Sequence, residues 1–483
     1  MPRNPKIPEV PTYDNRFLAF VRLLDELAAE RCGNDADFYT HSAAAMSVIA
    51  EGMWWSEEQR LRALASSEAR VLVDGEPYYA LTQPSSIIVY GLWGAHVIPE
   101  PLYRREDMHN GPTIKLLEKR LGLVSRSMLA NFASAAGALV AAMTDREAHA
   151  TLCRLGFRPP SRSTLEKHVG ETLEEMAVDP RALEDVAREV ESIDFEVGAV
   201  TCGMDRFAAR KDETLPEGPE REAKLRAREE RTYQRRPPEP YTTAWRMAQS
   251  ASVTLYDEFG IARRSFRYAV PADGDTKQLA ARVVDDVLAI AHVFPKAPVV
   301  CIQDGAPELD VLRAQLRESL PEGVRREHVV DFHHGISYLD AVVTACEPAG
   351  DPDRMRAWYR HKLLDDDDGI DNILRHLIRR RAKYPVGSPA RDAIVDAIRY
   401  CGKRRKLMRY AALRRDGLPI GSGATESGCA LFQLRVKHPG SHWRDGLAGV
   451  LTARGLLLSD RWDHAFDAHH HDLLAEVTPA CTA

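Results

Sequence analysis

The sequence predicts an α+β protein with several domains, and three observations support this. Its 483 residues exceed the roughly 100–200 residues that one domain usually contains. Hydrophobic residues make up 44% and charged residues 28% of the chain, as in folded globular proteins. Helical periodicity fills both ends, whereas patterns typical of strands are concentrated in residues 71–103 and 193–335. No run approaches the roughly 18 apolar residues of a membrane-spanning helix, and no signal sequence is evident, so we expect a cytoplasmic protein.

The first region, residues 1–190, is expected to be mainly helical with a small β element. Apolar residues recur at helical spacing in residues 17–27 and 43–49. Residues 71–81 predict a β-hairpin, because the tight-turn sequence Asp74-Gly75 separates two apolar runs. The β element therefore interrupts the predicted helices.

Residues 144–170 predict two helices joined by a short turn. Ser161 or Ser163 can cap the second helix. Because Arg162 and Lys167 lie on that helix, the pair resembles a helix-turn-helix, whose second helix reads DNA. The alternative is an ordinary pair of packed helices.

Residues 191–340 predict an α/β core. The predicted order is three meandering strands, a helix, a strand, a helix and a strand, which is the order of an RNase H-like core. Asp205 and Asp304 each follow an apolar strand, where open α/β sheets place their active sites. The charged segment 206–240 predicts a flexible loop between the first two strands.

Residues 341–417 predict a helical, basic insertion in this core. Residues 354–415 contain 18 Lys or Arg, although the whole chain carries a net charge of −6. A local basic surface can bind a phosphate backbone, and a solvated helical face is the alternative. The candidate DNA contacts in this segment are Lys403, Arg404, Arg405 and Lys406.

The remaining residues divide into two parts. Residues 418–467 predict the C-terminal helices of the core, with Glu426 as a third acid after a Gly-rich approach. Arg435 and Lys437 in this part are further candidate DNA contacts. Residues 468–483 predict a polar tail, in which three consecutive histidines form either a metal clip or, as we expect, a surface segment.

Four motifs carry a resemblance to a known family. They are Gly-Met-Asp205, Gln-Asp304-Gly-Ala-Pro-Glu-Leu, Val-Val-Asp331-Phe-His-His334 and Pro-Ile-Gly-Ser-Gly-Ala-Thr-Glu426-Ser-Gly-Cys. Together with the segment from Trp443 to Trp462, they make residues 195–467 similar to bacterial insertion-sequence DDE transposases, most closely to the Kra-type group. Such proteins usually carry Asp-Gly-Thr-like residues at the first acid, whereas Arg206-Phe207 follows Asp205 here.

The resemblance implies an enzyme that cleaves DNA and transfers strands at the ends of an insertion sequence. It implies that Asp205 bridges two Mg²⁺ ions, or Mn²⁺ in their place, and that Asp304 and Glu426 each hold one ion. Carboxylates suit these hard cations, and two ions about 3.5–4 Å apart can stabilise both the attacking and the leaving oxygen. Asp331 and His334 are expected to orient the ligands by hydrogen bonding.

Simpler interpretations of these residues stay open at this point. Asp205 and Asp304 could be turn or cap residues, Glu426 a capping partner, and His334 a structural histidine. The partners implied by the resemblance are double-stranded DNA, at the element ends and the target, and further copies of the chain in a homodimer or larger assembly. This implies association with the nucleoid and with no membrane. The alternatives are a nuclease of the same fold that does not join strands, and a domesticated DNA-binding regulator without catalysis.

Overall fold

The protein is an α+β molecule, as the sequence predicts. The computed structural model describes residues 15–229, 240–306, 310–346, 351–439 and 441–480. Helices account for 54% of the described residues and strands for 19%, which places the protein in the mixed class. None of the described helices is both long and apolar enough to cross a membrane. The chain forms two compact units, residues 1–169 with 469–483, and residues 170–468.

The first unit combines helices with two antiparallel sheets. Its helices are α1 (Asn15–Cys32), α2 (Phe38–Leu64), α3 (Leu116–Leu121), α4 (Ala130–Ala142), α5 (Asp145–Arg154) and the first half of α6 (Arg162–Met176). Its strands are β1 (Arg70–Val73), β2 (Glu76–Ala80), β3 (Ser86–Gly91), β4 (Gly94–Pro99), β5 (Tyr103–Arg105), β6 (Thr113–Ile114) and β12 (Val477–Pro479). Strands β3 and β4 form a hairpin, and the other five form a sheet of order β12-β1-β2-β5-β6.

The predicted hairpin at residues 71–81 is confirmed. Strands β1 and β2 pair around Asp74 and Gly75, whose φ angles of 51° and 80° suit a two-residue hairpin turn. The predicted polar tail is wrong for part of its length, because β12 pairs with β1 in the register Val71↔Pro479. Val477 packs against the buried side of this sheet, which explains the pairing.

Helices α5 and α6 occupy the predicted helix pair. Thr144 and Glu147 form a capping box at the start of α5. Ser161 caps α6, because its Oγ accepts a hydrogen bond from the backbone N–H of Thr164 at 3.3 Å. The two helices are therefore present, while a DNA-reading role for them stays a prediction.

The second unit begins inside α6 and contains the predicted α/β core. Its strands are β7 (Val197–Thr214), β8 (Tyr241–Asp257), β9 (Ala262–Val270), β10 (Val299–Gln303) and β11 (Arg326–Val330). Its further helices are α7 (Pro180–Val190), α8 (Pro219–Glu229), α9 (Thr276–Val293), α10 (Asp310–Ser319), α11 (Phe332–Cys346), α12 (Pro352–Asp365), α13 (Gly369–Arg381), α14 (Pro389–Arg404), α15 (Tyr410–Arg415), α16 (Gly423–Val436), α17 (Leu447–Leu458) and α18 (Trp462–His471), whose end returns to the first unit. Helix α7 belongs here because Arg282 of α9 forms a buried ion pair with Glu184 of α7. The division at residue 169 thus precedes the boundary near residue 190 that the sequence suggested.

One five-stranded sheet, of order β11-β10-β7-β8-β9, organises the second unit. Strands β7, β8 and β9 pair antiparallel, whereas β10 pairs parallel to both β7 and β11. Helices α9 and α10 pack an apolar core on one face. The opposite face is covered by α11–α15 and, farther along β7 and β8, by α16 and α17. The segment predicted as an insertion therefore forms one layer of the core.

The predicted flexible loop at residues 206–240 is wrong in its first part. Strand β7 continues to Thr214 and pairs with β8 as far as Tyr241, and α8 follows. Phe207 stabilises this extension because it is buried and stacks on Phe432 of α16, with ring centroids 6.2 Å apart. Residues 230–239 of the predicted loop lie outside the described residues.

Two element ends lie close to Asp331. Strand β11 ends at Val330, and Asp331 then caps α11 through a 2.6 Å hydrogen bond from the N–H of His334. A short 3₁₀ segment at Arg405–Leu407 separates α14 from α15. After this segment, the Tyr410 hydroxyl donates a hydrogen bond to the carbonyl of Val330 at 3.0 Å and so joins α15 to the end of β11.

Candidate active site

Asp205 and Asp304 lie next to each other where β10 ends beside β7. Cys202 of β7 is in register with Cys301 of the parallel neighbour β10, and each acid follows its cysteine by three residues. Asp304 directly follows the end of β10, where ligands bind in open α/β sheets, whereas Asp205 lies within β7, which continues past it. The strand pairing therefore brings together two acids that are far apart in sequence.

Glu426 joins them from the first turn of α16, where the packing is close. Gly203 lies two residues before Asp205, and a Cβ there would come 2.8 Å from Thr425 Oγ1 and would collide with the carbonyl of Ile302. Thr425 in turn shares a 2.8 Å hydrogen bond with the hydroxyl of Ser252 on β8. The helix that carries Glu426 is thus fixed against the strands that carry the two aspartates.

The three acids line one cavity of about 290 Å³. Its wall contains four carboxylates and no Lys or Arg among the described residues. The lining residues are Met204, Asp205, Gln303, Asp304, Asp331, His334, Ser422, Thr425 and Glu426. The four acids and the one histidine that were predicted as site residues therefore line the same cavity.

Hydrogen bonds hold each acid in its present orientation. Asp205 accepts from the N–H of its neighbour Arg206, and Asp304 accepts from the N–H of Ala306, both at 2.7 Å. The Ser422 hydroxyl donates to Glu426 at 2.8 Å. The turn interpretation therefore holds for Asp304, but Asp205 lies within β7 and α16 begins without a side-chain cap hydrogen bond. None of these local contacts accounts for the shared cavity.

The three acids also affect each other's ionisation. Burial raises the pKa of Asp205, and the negative charges of Asp304 and Glu426 raise it further. A hydrogen bond from the backbone of Arg206 and one with Cys429 oppose this shift. The carboxylates of the cavity therefore repel one another, and a bound cation would relieve this repulsion.

The donor atoms fit Mg²⁺ or Mn²⁺ in chemistry. Asp205, Asp304 and Glu426 offer carboxylate oxygens, which hard divalent cations prefer. Across the described residues, however, no group of three or more His, Cys, Asp or Glu side chains is already arranged to hold a metal ion. The three acids share a cavity without forming a complete ligand set.

Asp331 and His334 have different environments. Asp331 is 1% exposed, and besides capping α11 it accepts a 2.6 Å hydrogen bond from the N–H of Ser422, in the approach to Glu426. Because both its oxygens are engaged, Asp331 is suited to positioning the segment before α16 rather than to binding a metal. His334 is exposed, and its ring centroid lies 5.7 Å from that of Tyr400.

Of the four candidate DNA contacts in the basic segment, the two lysines are exposed, whereas the two arginines contact other residues of the chain. Lys403 and Lys406 are exposed, Arg405 pairs with Asp371 at 3.3 Å, and Arg404 donates to the carbonyl of Gly305 at 2.5 Å. Only Lys403 and Arg404 of this group line a cavity beside the acids.

The remaining candidates lie elsewhere. Arg435 is 5% exposed with its guanidinium 5.0 Å from the Trp443 ring, so its burial opposes the prediction that it contacts DNA. Lys437 is exposed and donates to Gln433 at 2.8 Å. Arg162 and Lys167 are exposed on the part of α6 that belongs to the first unit.

Sequence reasoning missed the residues that assemble the cavity. Gly203 carried a usable signal, because a glycine inside a strand often marks a close approach of another element. Ser252 and Thr425 carried no such signal, since their hydrogen bond joins residues 173 positions apart.

Neither the models of known protein families nor the curated proteins contain a match to this chain.

Proposed function

We propose that the protein is a metal-dependent DNA transposase of the bacterial insertion-sequence type. The observation that carries this proposal is the meeting of Asp205, Asp304 and Glu426, from three separate segments, in one cavity at the edge of the sheet. The four motifs that resemble Kra-type DDE transposases supply exactly these acids together with Asp331 and His334.

The order of the strands supports an RNase H-like assignment for the second unit. Three antiparallel strands come first along the chain, and β10 and β11 then add in parallel beside β7. The helix α9 between β9 and β10 covers one face of the sheet. This topology brings the first two acids together, since Asp304 follows the end of β10 beside Asp205 in the parallel neighbour β7.

In the proposed reaction, Asp205, Asp304 and Glu426 would hold two Mg²⁺ ions. Bound there, the ions would activate a water or a 3′-hydroxyl for attack on a phosphodiester and stabilise the leaving oxygen. Asp331 holds the Ser422 backbone and thereby the start of α16. Gly203 and Thr425 keep that helix against β7 and β10. The residues of the chain thus position the ligands, while the substrate would be double-stranded DNA at the element's ends.

The test is excision and joining of DNA by the full chain. A plasmid carrying the gene with its flanking DNA would be assayed for excision and for insertion at new sites, with Asp205→Asn, Asp304→Asn and Glu426→Gln as variants. We expect each variant to lose at least about 100-fold in activity, because the preorganised electrostatics of the site depend on every ligand. Glu318→Gln, at an exposed acid on α10, is the matched control and should keep full activity.

The outcomes separate the proposal from its alternatives. Mg²⁺-dependent cutting by the wild type without any joined product would indicate a nuclease of the same fold. Specific DNA binding with no cleavage in Mg²⁺ or Mn²⁺ would indicate a regulator. Full activity in any one of the three acid variants would remove that residue from the ligand set.

A further inference from the structure

A second cavity, of about 590 Å³, lies beside the acids in the second unit. Its wall carries four basic side chains against two acidic ones, a surplus of two positive charges. The basic residues are Arg313, Arg399, Lys403 and Arg404. The volume is within the range of about 300–1,000 Å³ that small-molecule sites occupy.

This basic cavity is connected to the acid cavity through the backbone at Asp304. The Tyr400 hydroxyl donates to the carbonyl of Asp304 at 2.7 Å, and Arg404 donates to the carbonyl of Gly305 at 2.5 Å. Gly305 has a φ of 83°, and a Cβ there would collide with the Arg404 side chain. The cavity therefore begins at the residue that follows one of the proposed metal ligands.

Three planar groups form a stack in its wall. The rings of Tyr338 and Tyr400 are 3.9 Å apart and 13° from parallel. The Arg404 guanidinium lies 4.2 Å from the centroid of the Tyr400 ring, on a residue that also lines the cavity. An arginine held flat in this way offers a planar surface on which a nucleobase can stack.

The other basic groups suit a phosphate. Arg399 and Arg313 pair with Asp396 and Asp310 at 3.1 and 3.2 Å, in contacts that stay open to solvent. Lys403 is exposed and makes no hydrogen bond or ion pair to another residue in the described part of the chain. An exposed lysine beside two arginines is a ready site for one phosphate group.

We propose that the basic cavity binds one nucleotide of the DNA strand next to the bond that is cut. Its phosphate contacts Lys403 and Arg399, and its unpaired base stacks on Arg404. This subsite rests on the proposed function, since it assigns a position on the substrate of the same active site. It also explains why a positive cavity adjoins a negative one at Asp304.

The test measures DNA binding without metal, so that its result does not depend on cleavage. The full-length protein in EDTA would be titrated with a blunt duplex and with the same duplex carrying a single-stranded extension that contains 2-aminopurine. We expect the double variant Lys403→Ala/Arg399→Ala to bind the extended duplex at least tenfold more weakly and the blunt duplex less than threefold more weakly. Its salt dependence on the extension should fall by about 0.7 for each lost phosphate contact. Arg404→Ala should abolish the change in 2-aminopurine fluorescence on binding.

The matched control is Arg379→Ala, which removes an exposed charge from the same helical layer outside the cavity. If this control and the double variant lose the same affinity for the extended duplex, the basic residues act only by non-specific electrostatic attraction, and the proposed subsite is wrong. Unchanged binding of the extension in the double variant would overturn it as well. A nucleoside monophosphate that binds through Lys403, with DNA binding unaffected by the substitution, would overturn the assignment to a DNA strand. Failure of the proposed function would instead appear as absence of cleavage in Mg²⁺ by the wild type.

Discussion

In the second unit, a buried cluster of ionisable groups and the partly exposed acid cavity differ in charge balance. In one, Arg461 and Asp286 are each 1% exposed and pair at 2.8 Å, while Arg461 also pairs with Glu191 at 2.7 Å. Arg188 adds a second cation to Asp286 at 2.6 Å. In the other, the cavity of Asp205, four carboxylates meet without an arginine or lysine in the described wall.

The difference appears in the direction of the pKa shifts. Burial alone would lower the pKa of Arg461, but hydrogen bonds with Glu191 and Asp286 outweigh it and raise the pKa. At Asp205, burial and the neighbouring acids act together and oppose ionisation. A balanced cluster stabilises its charged groups, whereas an unbalanced one requires a cation from outside. The unbalanced cluster is therefore the better candidate for function.

The balanced cluster predicts the largest loss of stability. Arg461→Met leaves two buried carboxylates without their main partner, so we expect the free energy of unfolding to fall by about 3–5 kcal/mol. Chemical denaturation followed by circular dichroism measures the change. Arg409→Met removes one partner of a more exposed ion pair with Glu327 and should cost no more than about 1 kcal/mol. Equal losses in the two variants would contradict the comparison.

The unbalanced cluster predicts stabilisation by metal. Mg²⁺ at about 100 times its dissociation constant should stabilise the wild type by about 2.7 kcal/mol, since binding to the folded state alone shifts unfolding by mass action. Asp205→Asn should lose this gain, and without metal it should be no less stable than the wild type, because repulsion with Asp304 and Glu426 is relieved. Thermal melts with and without Mg²⁺ measure both effects. If Mg²⁺ stabilises the variant as much as the wild type, the ion binds at another site.

The close contact at Gly203 predicts a smaller change that links stability to the site. Gly203→Ala adds a methyl group against Ile302 and Thr425, so we expect a loss of about 1–3 kcal/mol together with a weaker Mg²⁺ effect. Gly402→Ala is the control, because a Cβ there meets no atom within 4 Å. That change should stabilise α14 by about 0.5–1 kcal/mol and leave the Mg²⁺ effect intact. If Mg²⁺ stabilises the Gly203→Ala protein as much as the wild type, the contact at Gly203 does not affect the metal site.

The sequence predicted both strands of the site but only one of their two ends. The apolar run before Asp304 stops where β10 ends, whereas β7 continues past Asp205 to Thr214. The extension of β7 was missed because Arg206, Arg210 and Lys211 obscure an alternation whose buried side is formed by small and aromatic residues. Hydrophobic pattern alone does not reveal a strand whose partner helix comes more than 200 residues later.

Long-range contacts explain the other differences. The pairing of β12 with β1 joins residues about 400 positions apart, and no local signal indicates it. Arg435 packs against Trp443, which is held there because its N–H donates to the carbonyl of Arg210 on β7 at 3.0 Å. The role of Asp331 was partly predictable, since an acid directly after a strand often caps the next helix. The sequence did not indicate that the second oxygen of Asp331 accepts a hydrogen bond from the N–H of Ser422.

A third cluster, in the first unit, changes its balance with pH and should give the smallest effect. His96 is fully buried, and its two ring nitrogens lie 2.9 Å from Glu58 and 3.1 Å from Glu57. Burial alone would lower the pKa of His96, but the two glutamates outweigh it and raise the pKa above the ordinary value of 6.5. Because the folded pKa is the higher one, this stabilisation is fully present below about pH 6.5 and is lost as the pH rises through the folded value.

The cluster can therefore be tested with pH as the variable. At pH 5.5 the charged imidazole compensates one of the two negative charges of Glu57 and Glu58. At pH 8.5 a smaller fraction of the imidazole is charged, so more of the negative charge is uncompensated, as it is in the acid cavity. We expect His96→Gln to cost more stability at pH 5.5 than at pH 8.5, with a difference of about 1 kcal/mol, since hydrogen bonds to charged groups exceed neutral ones by about that amount. Denaturant titrations of the full chain at both pH values measure it, and His109→Gln, at an exposed histidine of the same unit, should show no such difference. A cost of His96→Gln that does not change with pH would show that the imidazole does not change its charge between pH 5.5 and pH 8.5 in the folded protein, and would contradict this prediction.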